Sequence, residues 1–385
     1  MRILAVDVGT GTQDILLFDS QKEVENCFKM VMPSPTVLVA QAIREATARG
    51  EDLLLTGVTM GGGPCAWAAN DHLEAGFKVY ATPAAARTFD DDLARVEDMG
   101  VRVIGEDEAE ELAHLRRIEM KDFDYQAIAQ ALGAFQVDLE VESAHPPVEP
   151  LRSEEALSTG ERFQVDALAV AVFDHGHAPP GVSDRLFRFE YLAERLRDGH
   201  GLAGFAFWRE EIPPRLTRLQ AVADTVDLPL PLLVMDTGPA AVLGALEDPQ
   251  VRAQNPCIVV NIGNFHTLAF HLADGDVAGL FEHHTGRLSR EELERYLVKL
   301  AQGTITNQEV FDDMGHGALV LFHPAEVPSF LAVTGPRRGL LRGSSLPTYQ
   351  AVPHGDMMLA GCFGLIRAFA IKAPEHAAEI EAALG

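Results

Sequence analysis

Histidines close to acidic residues are the side chains in this sequence that most readily suggest chemistry. One group is Asp174-His175-Gly176-His177, which follows the apolar run 167–173. If that run is a strand, His175 and His177 share one face of its end, at a spacing seen in metal sites. Asp174 would then be a further ligand or would orient a neighbour. The alternative is a set of polar loop residues, and both interpretations stay open.

A second group, Glu282-His283-His284, ends another strand-like run. Adjacent residues on a strand point to opposite faces, so His283 and His284 converge on a metal only if the strand stops at Glu282. Otherwise they have structural roles. Two further histidines, His266 and His316, are weaker candidates for chemistry.

Three consecutive glycines precede Pro64 where a strand meets a predicted helix. The backbone N–H groups at such a junction can bind an anion, which makes Gly62 and Gly63 candidates for substrate contact. A tight turn without a ligand is the alternative.

The size and charge of the chain limit the classes of function. With 385 residues, it suits two domains or lobes. The formal net charge of −26 argues against a nucleic-acid partner, which would need a basic surface to meet its phosphates. Arg337, Arg338 and Arg342 form a local patch that could still bind one phosphate group.

Four cysteines stand far apart, at Cys27, Cys65, Cys257 and Cys362. No two of them have the spacing of metal ligands, and no three could hold an iron–sulfur cluster. They predict free thiols in a reducing cytoplasm. We also expect neither a signal peptide nor a membrane span from this sequence.

Alternating strand-like and helical segments predict an α/β fold, and an internal repeat refines it. The segment Leu4-Ala-Val-Asp7-Val-Gly9 matches Ile258-Val-Val-Asn261-Ile-Gly263 at a constant offset of 254 residues, without a gap. Each begins a predicted antiparallel meander. Two similar meanders in one chain predict two similar lobes.

Five motifs with small residues at turns or helix starts follow one another along the chain. They are Asp7-Val-Gly9-Thr10-Gly-Thr12, Asp236-Thr-Gly-Pro239-Ala-Ala-Val-Leu, Asn261-Ile-Gly263-Asn-Phe-His-Thr267, Phe330-Leu-Ala-Val-Thr334-Gly335-Pro336-Arg-Arg-Gly339 and Asp356-Met-Met-Leu-Ala360-Gly361-Cys362-Phe. In order, they resemble the first phosphate hairpin, the first connecting helix, the second phosphate hairpin, the adenosine motif and the second connecting helix of the actin, Hsp70 and sugar kinase superfamily. The matches cover about residues 1–60 and 230–370.

This resemblance implies a two-lobed actin-like ATPase fold, of the ribonuclease H-like type, with duplicated meander-plus-helix cores. The expected lobes are residues 1–230, in which 62–230 is less well matched, and residues 231–385. The chain also resembles a bacterial and archaeal family, some members of which carry a label related to pyruvate formate-lyase activation. The sequence lacks the cysteine pattern of such radical chemistry.

The resemblance further implies that ATP and Mg²⁺ bind between the lobes. Glycine-containing hairpins expose N–H groups to phosphates without a side chain in the way. Mg²⁺ prefers oxygen ligands and keeps several waters, so Asp7 would hold the hydrated ion. The residues expected to contact the nucleotide are Gly9, Thr10, Gly11, Thr12, Gly263, Asn264, Gly335, Pro336 and Gly339.

One position departs from the superfamily pattern. Members that hydrolyse ATP usually carry an aspartate in the second phosphate hairpin, where this chain has Asn261. An amide cannot act as a carboxylate base, so rapid hydrolysis is in doubt. Two roles stay open for Asp236, which are the positioning of water and the capping of a helix. The predicted catalytic residues are therefore Asp7, Asp236 and Asn261.

Three functions remain open at this point. The first is a Mg²⁺-dependent ATP phosphotransferase or ATPase acting on an unidentified small molecule. The second is a slow nucleotide-binding regulator with a protein partner, which Asn261 favours. The third is a metal-dependent enzyme on the same scaffold that uses the histidine loops, since fold does not fix function.

Overall fold

The computed structural model describes residues 1–141, 161–179 and 181–385. In these ranges the strands are β1 Arg2–Val8, β2 Thr12–Asp19, β3 Phe28–Pro33, β4 Leu53–Gly57, β5 Val79–Ala81, β6 Arg102–Val103, β7 Arg116–Met120, β8 Val137–Glu140, β9 Glu161–Gln164, β10 Ala167–Val172, β11 Ala206–Trp208, β12 Leu232–Asp236, β13 Cys257–Ile262, β14 His266–Ala273, β15 Asp276–His284, β16 Gly317–Val320, β17 Leu331–Thr334 and β18 Thr348–Gln350.

The α-helices of the same ranges are α1 Pro35–Arg49, α2 Pro64–Glu74, α3 Pro83–Ala86, α4 Leu93–Asp98, α5 Glu106–Glu111, α6 Tyr125–Gly133, α7 Asp184–Arg197, α8 Thr217–Asp224, α9 Thr237–Ala245, α10 Pro249–Arg252, α11 Arg290–Ala301, α12 Asn307–Asp312, α13 Ala360–Lys372 and α14 Pro374–Leu384. None of them is long and apolar enough to cross a membrane.

Two six-stranded sheets share the order of five of their strands, whereas the sixth, β11 in one sheet and β16 in the other, lies at opposite edges. The first has the order β11-β12-β10-β1-β2-β3, and the second has the order β16-β15-β14-β13-β17-β18. In each, an antiparallel meander is followed by two strands parallel to its first strand, namely β10 and β12 beside β1, and β17 and β18 beside β13. The shared order confirms the duplication that the internal repeat predicts.

The apolar run of each central strand explains why it is buried. All six residues of β10 are buried, as expected for a strand covered on both faces. The four cysteines are free and buried, as the sequence predicts.

A smaller parallel sheet of order β6-β5-β4-β7 is inserted after α1 and has its own apolar core. Strands β8 and β9 form a separate parallel pair. These elements account for much of the middle region that the sequence motifs do not cover.

Helices α9 and α13 cross where glycines allow their backbones to touch. A Cβ on Gly244 would lie 1.6 Å from the carbonyl oxygen of Ala360, and a Cβ on Gly364 would lie 1.9 Å from that of Ala240. Helix α13 also packs against β1, β2 and β10, so the end of the chain returns to the first sheet.

The predicted division between residues 230 and 231 stays a prediction. Strand β12 follows residue 230, yet it belongs to the first sheet. We therefore propose that the first lobe extends at least to Asp236.

Candidate functional site

Two tight hairpins face each other between the two six-stranded sheets. The N–H of Gly9 donates to the carbonyl of Thr12 at 2.9 Å, and the N–H of Gly263 donates to the carbonyl of His266 at 2.9 Å. A Cβ on Gly11 would lie 2.8 Å from Nδ2 of Asn264, so a larger residue there would meet the opposite hairpin. The structure thus brings the two predicted phosphate hairpins together.

A cleft of about 860 Å³ lies between these hairpins. Of the residues predicted to bind nucleotide or to act in catalysis, those that line it are Asp7, Gly9, Thr10, Thr12, Asn261, Gly263, Asn264, Gly335 and Pro336. Gly11, Asp236 and Gly339 are outside this lining. Gly335 has φ of +96°, and a Cβ there would lie 2.5 Å from Oδ1 of Asn261, so this tight turn requires glycine.

Two buried carboxylates lie side by side on the first hairpin. Asp7 pairs with Asp14 across β1 and β2, which puts both side chains on one face. Oδ1 of Asp7 accepts a hydrogen bond from the Thr237 hydroxyl at 2.6 Å, whereas Oδ1 of Asp14 is buried without a partner. Asp14 was missed in the sequence, although the hairpin register places it opposite Asp7.

Burial raises the pKa of both carboxyl groups. The pKa of Asp7 rises to about 7 through burial, with the Thr237 hydrogen bond opposing and Asp236 adding to the rise. Burial, with a further contribution from Asp7, raises the pKa of Asp14 to about 8. Helix α13 closes over the pair, because a Cβ on Gly361 would lie 1.9 Å from Oδ2 of Asp7. Two crowded carboxylates of this kind suit a divalent cation.

Asp236 is held in a buried ionic network instead of facing the cleft. Its oxygens accept from Nη1 and Nη2 of Arg188 at 2.6 and 3.2 Å, and Oδ1 also accepts from the N–H of Gly238 at the start of α9. Nε of Arg188 donates to both oxygens of Glu282, at 3.1 and 2.9 Å. Of the two roles weighed for Asp236, the helix cap is therefore the one observed, and Arg188 was missed altogether.

A second cavity of about 1030 Å³ adjoins the first. Gly62 and Gly63 line it at the start of α2, and Gly63 has φ of +58°. The residues that line both cavities are Thr10, Phe173, Arg218, Phe265 and His266. The two spaces therefore meet beside the first phosphate hairpin.

The predicted grouping of Asp174, His175 and His177 is only partly present. Asp174 is buried and accepts from the backbone N–H groups of Gly176, Arg218 and Leu219 at 2.8, 3.0 and 2.8 Å, so its oxygens hold the local backbone. Burial raises the pKa of Asp174 to about 6.

His175 and His177 do not converge, contrary to the sequence interpretation. Strand β10 ends at Val172, and the left-handed Gly176, with φ of +75°, separates the two histidines. Strand alternation therefore does not apply to them. Nδ1 of His177 lies 3.4 Å from Asp91 instead.

His175 meets two histidines from distant parts of the chain, His266 and His316. One ring nitrogen from each lies within 4.8 Å of the others. His175 is exposed to the second cavity, and His316 is fully buried. Burial, together with neighbouring positive charges, lowers the pKa of His266 and His316, which leaves these two imidazoles neutral near pH 7. His266 and His316, the weaker candidates from the sequence, are thus at the centre of the cluster.

Strand β15 continues to His284, so His283 and His284 point to opposite faces and do not share a site. Nε2 of His283 lies 3.6 Å from Asp313 on one side. His284 lies beside the cluster, with its ring centroid 4.7 Å from that of His316, and its Nδ1 bonds the carbonyl of Met314 at 2.8 Å. Glu282 points to Arg188.

A protein-family model described as "Putative pyruvate format-lyase activating enzyme (DUF1786)" matches residues 60–145 and 150–340, well over half of the chain. The chain belongs to this family. Family membership agrees with the resemblance seen in the sequence. No curated protein matches the chain.

Three solved structures align along most of the chain. The inorganic polyphosphate/ATP-glucomannokinase from Arthrobacter sp. strain KM is 12% identical, with 96% of this chain and 99% of that chain covered and a TM-score of 0.37. A ROK hexokinase from Thermus thermophilus is 11% identical, with 97% and 100% covered and a TM-score of 0.32. The ethanolamine utilization protein EutJ from Carboxydothermus hydrogenoformans is 13% identical, with 95% and 89% covered and a TM-score of 0.29. The duplicated sheets carry the fold assignment, and the predicted two-lobed actin-like fold is confirmed.

Proposed function

We propose that this protein is a Mg²⁺-dependent, ATP-binding phosphotransferase or ATPase that acts on a small molecule. The observation that supports it best is the junction of two cavities at the first phosphate hairpin, where both contact Thr10 and His266. A nucleotide in the first cavity would have its terminal phosphate next to a substrate in the second. Such chemistry depends mainly on positioning and charge neutralisation.

The residues present fit a hydrated magnesium ion. Asp7 and Asp14 offer buried carboxylate oxygens, and Oδ1 of Asp14 has no hydrogen-bond partner. When bound, Mg²⁺ would neutralise phosphate charge. The two carboxylates would hold its water shell, and Thr237 would keep the Asp7 carboxylate oriented through its hydrogen bond.

The nucleotide would be held by backbone groups of both lobes. Thr10, Thr12 and Asn264 would donate to phosphates, because the hairpins bring them to the cleft. The turn at Gly335 and Pro336 would lie against the adenosine, where its backbone approaches the cleft without a side chain.

The second cavity would take the substrate. Its lining combines the glycine turn at Gly62 and Gly63 with Arg87 and Asp91, which suits a small polar molecule. Burial raises the pKa of the Asp91 carboxyl group. The partner we propose is a small molecule and not a nucleic acid, in keeping with the net charge of −26. Because its cysteines are free thiols, we also propose that the protein works in the cytoplasm.

The first test is the melting temperature with and without ATP and Mg²⁺. A ligand at about 100 times its Kd stabilises the folded state by roughly 2.7 kcal/mol, which corresponds to a rise of about 5 °C. We expect this rise to require Mg²⁺ and to disappear in Asp7→Asn. The matched control is Asp276→Asn, which removes an exposed carboxylate in the second lobe. This variant should still show the rise in melting temperature. Absence of any shift with ATP, ADP or GTP would contradict the proposal.

A slow nucleotide-binding regulator with a protein partner is the second candidate. Asn261 gives the cleft an amide where a carboxylate is usual, and Asp236 is engaged by Arg188. Magnesium-dependent ATP binding without phosphate release or transfer over hours would favour the regulator. Transfer to any small molecule would favour the enzyme.

A further inference from the structure

Three histidines from separate elements converge beside the junction of the two cavities. His175 follows β10, His266 begins β14 and His316 precedes β16. Their ring centroids are 5.0–5.9 Å apart, and one nitrogen of each lies within 4.8 Å of the others. Because the three lie at or beside the ends of strands in two different sheets, the fold itself brings them together.

Three ring nitrogens of this cluster are buried without a hydrogen-bond partner among the described residues. They are Nε2 of His266 and both ring nitrogens of His316. The His316 side chain is 0% exposed, so solvent does not supply the missing partners. A buried polar atom without a partner costs about 1–3 kcal/mol, so such atoms in a folded protein call for an explanation. Neutral imidazoles with free nitrogens are the form that binds metal ions.

We propose that His175, His266 and His316 bind one divalent transition metal ion of the Zn²⁺ class. Three imidazoles with one open position are a donor set found in catalytic zinc sites, and imidazole suits Zn²⁺ better than Mg²⁺. His175 and His266 border the second cavity, so the open position faces it. The substrate would present an oxygen donor, such as a carboxylate or phosphate group, to this ion.

The charges around the cluster tolerate a cation. Arg188 is one of the positive charges that act on the cluster, and both Asp236 and Glu282 pair with it. Arg218 is paired with Asp122. The remaining cation, Arg185, donates to the carbonyls of Phe311 and Gly315.

Neighbouring contacts hold two of the ligands in place. The His266 ring stacks on the Phe173 ring with centroids 3.9 Å apart. The guanidinium of Arg188 lies over the same Phe173 ring, 3.7 Å from its centroid. The N–H of His316 donates to the backbone carbonyl of Glu282 at 2.9 Å. His175 is the most exposed of the three ligands, and its ring makes an edge contact with the Phe173 ring at a centroid distance of 4.7 Å.

The test uses the untagged full chain, stripped with a chelator and then given Zn²⁺ or Co²⁺. We expect one ion per chain after gel filtration, measured by elemental analysis, and the strong visible absorption of tetrahedral Co²⁺. His175→Ala and His266→Ala should each lower the affinity by about 100-fold or more. The control is His177→Ala, which changes an exposed histidine two residues away from His175 and should bind as the wild type does.

The outcomes separate this proposal from nucleotide binding. Lack of stoichiometric binding, or binding that survives His175→Ala, would overturn the metal site. Because His175 lies on the cavity wall, its loss should leave the fold intact even if a variant of the buried His316 does not fold. The magnesium-dependent rise in melting temperature with ATP should remain in His175→Ala, so failure of one proposal does not imply failure of the other.

Discussion

At the level of single residues, Arg188 links the two lobes through charge. It comes from α7, and it pairs with Asp236 at the end of the first sheet and with Glu282 of the second sheet. All three side chains are buried. Two carboxylates share one guanidinium in a low-dielectric interior, so removing the guanidinium leaves unpaired buried charge.

We therefore expect Arg188→Met to lower the free energy of unfolding by about 3–5 kcal/mol, measured by urea denaturation. Adding Glu282→Gln should restore part of the loss, because it removes one of the stranded charges. Arg197→Met changes an exposed arginine at the end of the same helix and serves as the control. An Arg188→Met protein as stable as the control would show that the network contributes little.

Asn261 is the second residue with a defined test. It lines the cleft between the two hairpins, at the position equivalent to Asp7 in the repeat. A positioned general base contributes about 100-fold or more to a rate. We expect Asn261→Asp to raise phosphate release from ATP by at least about tenfold.

The matched control for this change is Asn70→Asp, which adds a carboxylate on the exposed face of α2, away from both cavities. Equal rates in the two variants would mean that charge alone, and not a base at position 261, changes the rate. Unchanged hydrolysis in Asn261→Asp would place the base elsewhere.

At the level of elements, the crossing of α9 and α13 joins the repeated halves. The backbones touch at Gly244 and Gly364, with no space for a methyl group. We expect Gly244→Ala to cost about 2–3 kcal/mol in urea denaturation, because overpacking at a backbone contact outweighs the gain in helix propensity.

Gly133→Ala is the matched control for Gly244→Ala. It lies at the end of α6, and the nearest atom to its Cβ would be 3.8 Å away. Its stability should stay within about 1 kcal/mol of the wild type. If both alanine variants behave alike, the helices have room to separate at the crossing.

The elements that sequence reasoning could predict are those whose signals are local. The hairpin at Asp7 and its repeat at Asn261 are marked by apolar runs followed by glycine turns, and the small residues near Gly361 mark the crossing helix. Even Asp14 could have been found, because hairpin register puts it opposite Asp7.

The histidine cluster and the Arg188 network could not be found in this way. His175, His266 and His316 are about 90 and 50 residues apart along the chain, and only the pairing of strands in two sheets brings them together. The expected pairing of His175 with His177 was wrong because it assumed strand geometry beyond the end of β10. Local spacing therefore predicted the phosphate side of the site better than its substrate side.

At the scale of the whole molecule, the two lobes meet through the second hairpin. The ring of Phe265 would contact a Cβ on Gly63 at 2.5 Å, and it lies 5.5 Å from the Trp67 ring on α2. The same hairpin faces Gly11. The second lobe therefore touches both the first phosphate hairpin and the inserted sheet, so it borders both cavities.

Stability of the whole molecule should depend on pH through opposing groups. Burial raises the pKa of Asp7, Asp14 and Asp174 from 3.8 to about 7, 8 and 6, so stability falls as pH rises from about 3.8 and the loss is complete above these raised values. Burial lowers the pKa of buried histidines such as His72, and their contribution is lost as pH falls below 6.5. The two effects partly cancel. The contribution of one histidine must therefore be measured as the difference in stability between the wild type and a variant of that histidine.

His72 suits this test because it is buried in α2, away from both cavities, with its Nδ1 2.7 Å from the Thr47 hydroxyl. Asp52 and the Lys78 backbone oppose the fall in its pKa, but burial prevails. Between pH 7.5 and 5.5, the wild type should lose up to about 1.4 kcal/mol more than His72→Gln, measured by urea denaturation. The exposed control His114→Gln should follow the wild type. Parallel curves for the wild type and His72→Gln would show that the folded protein accommodates a charged His72, and the acid sensitivity would then come from other buried histidines, such as His271 or those at the cavity junction.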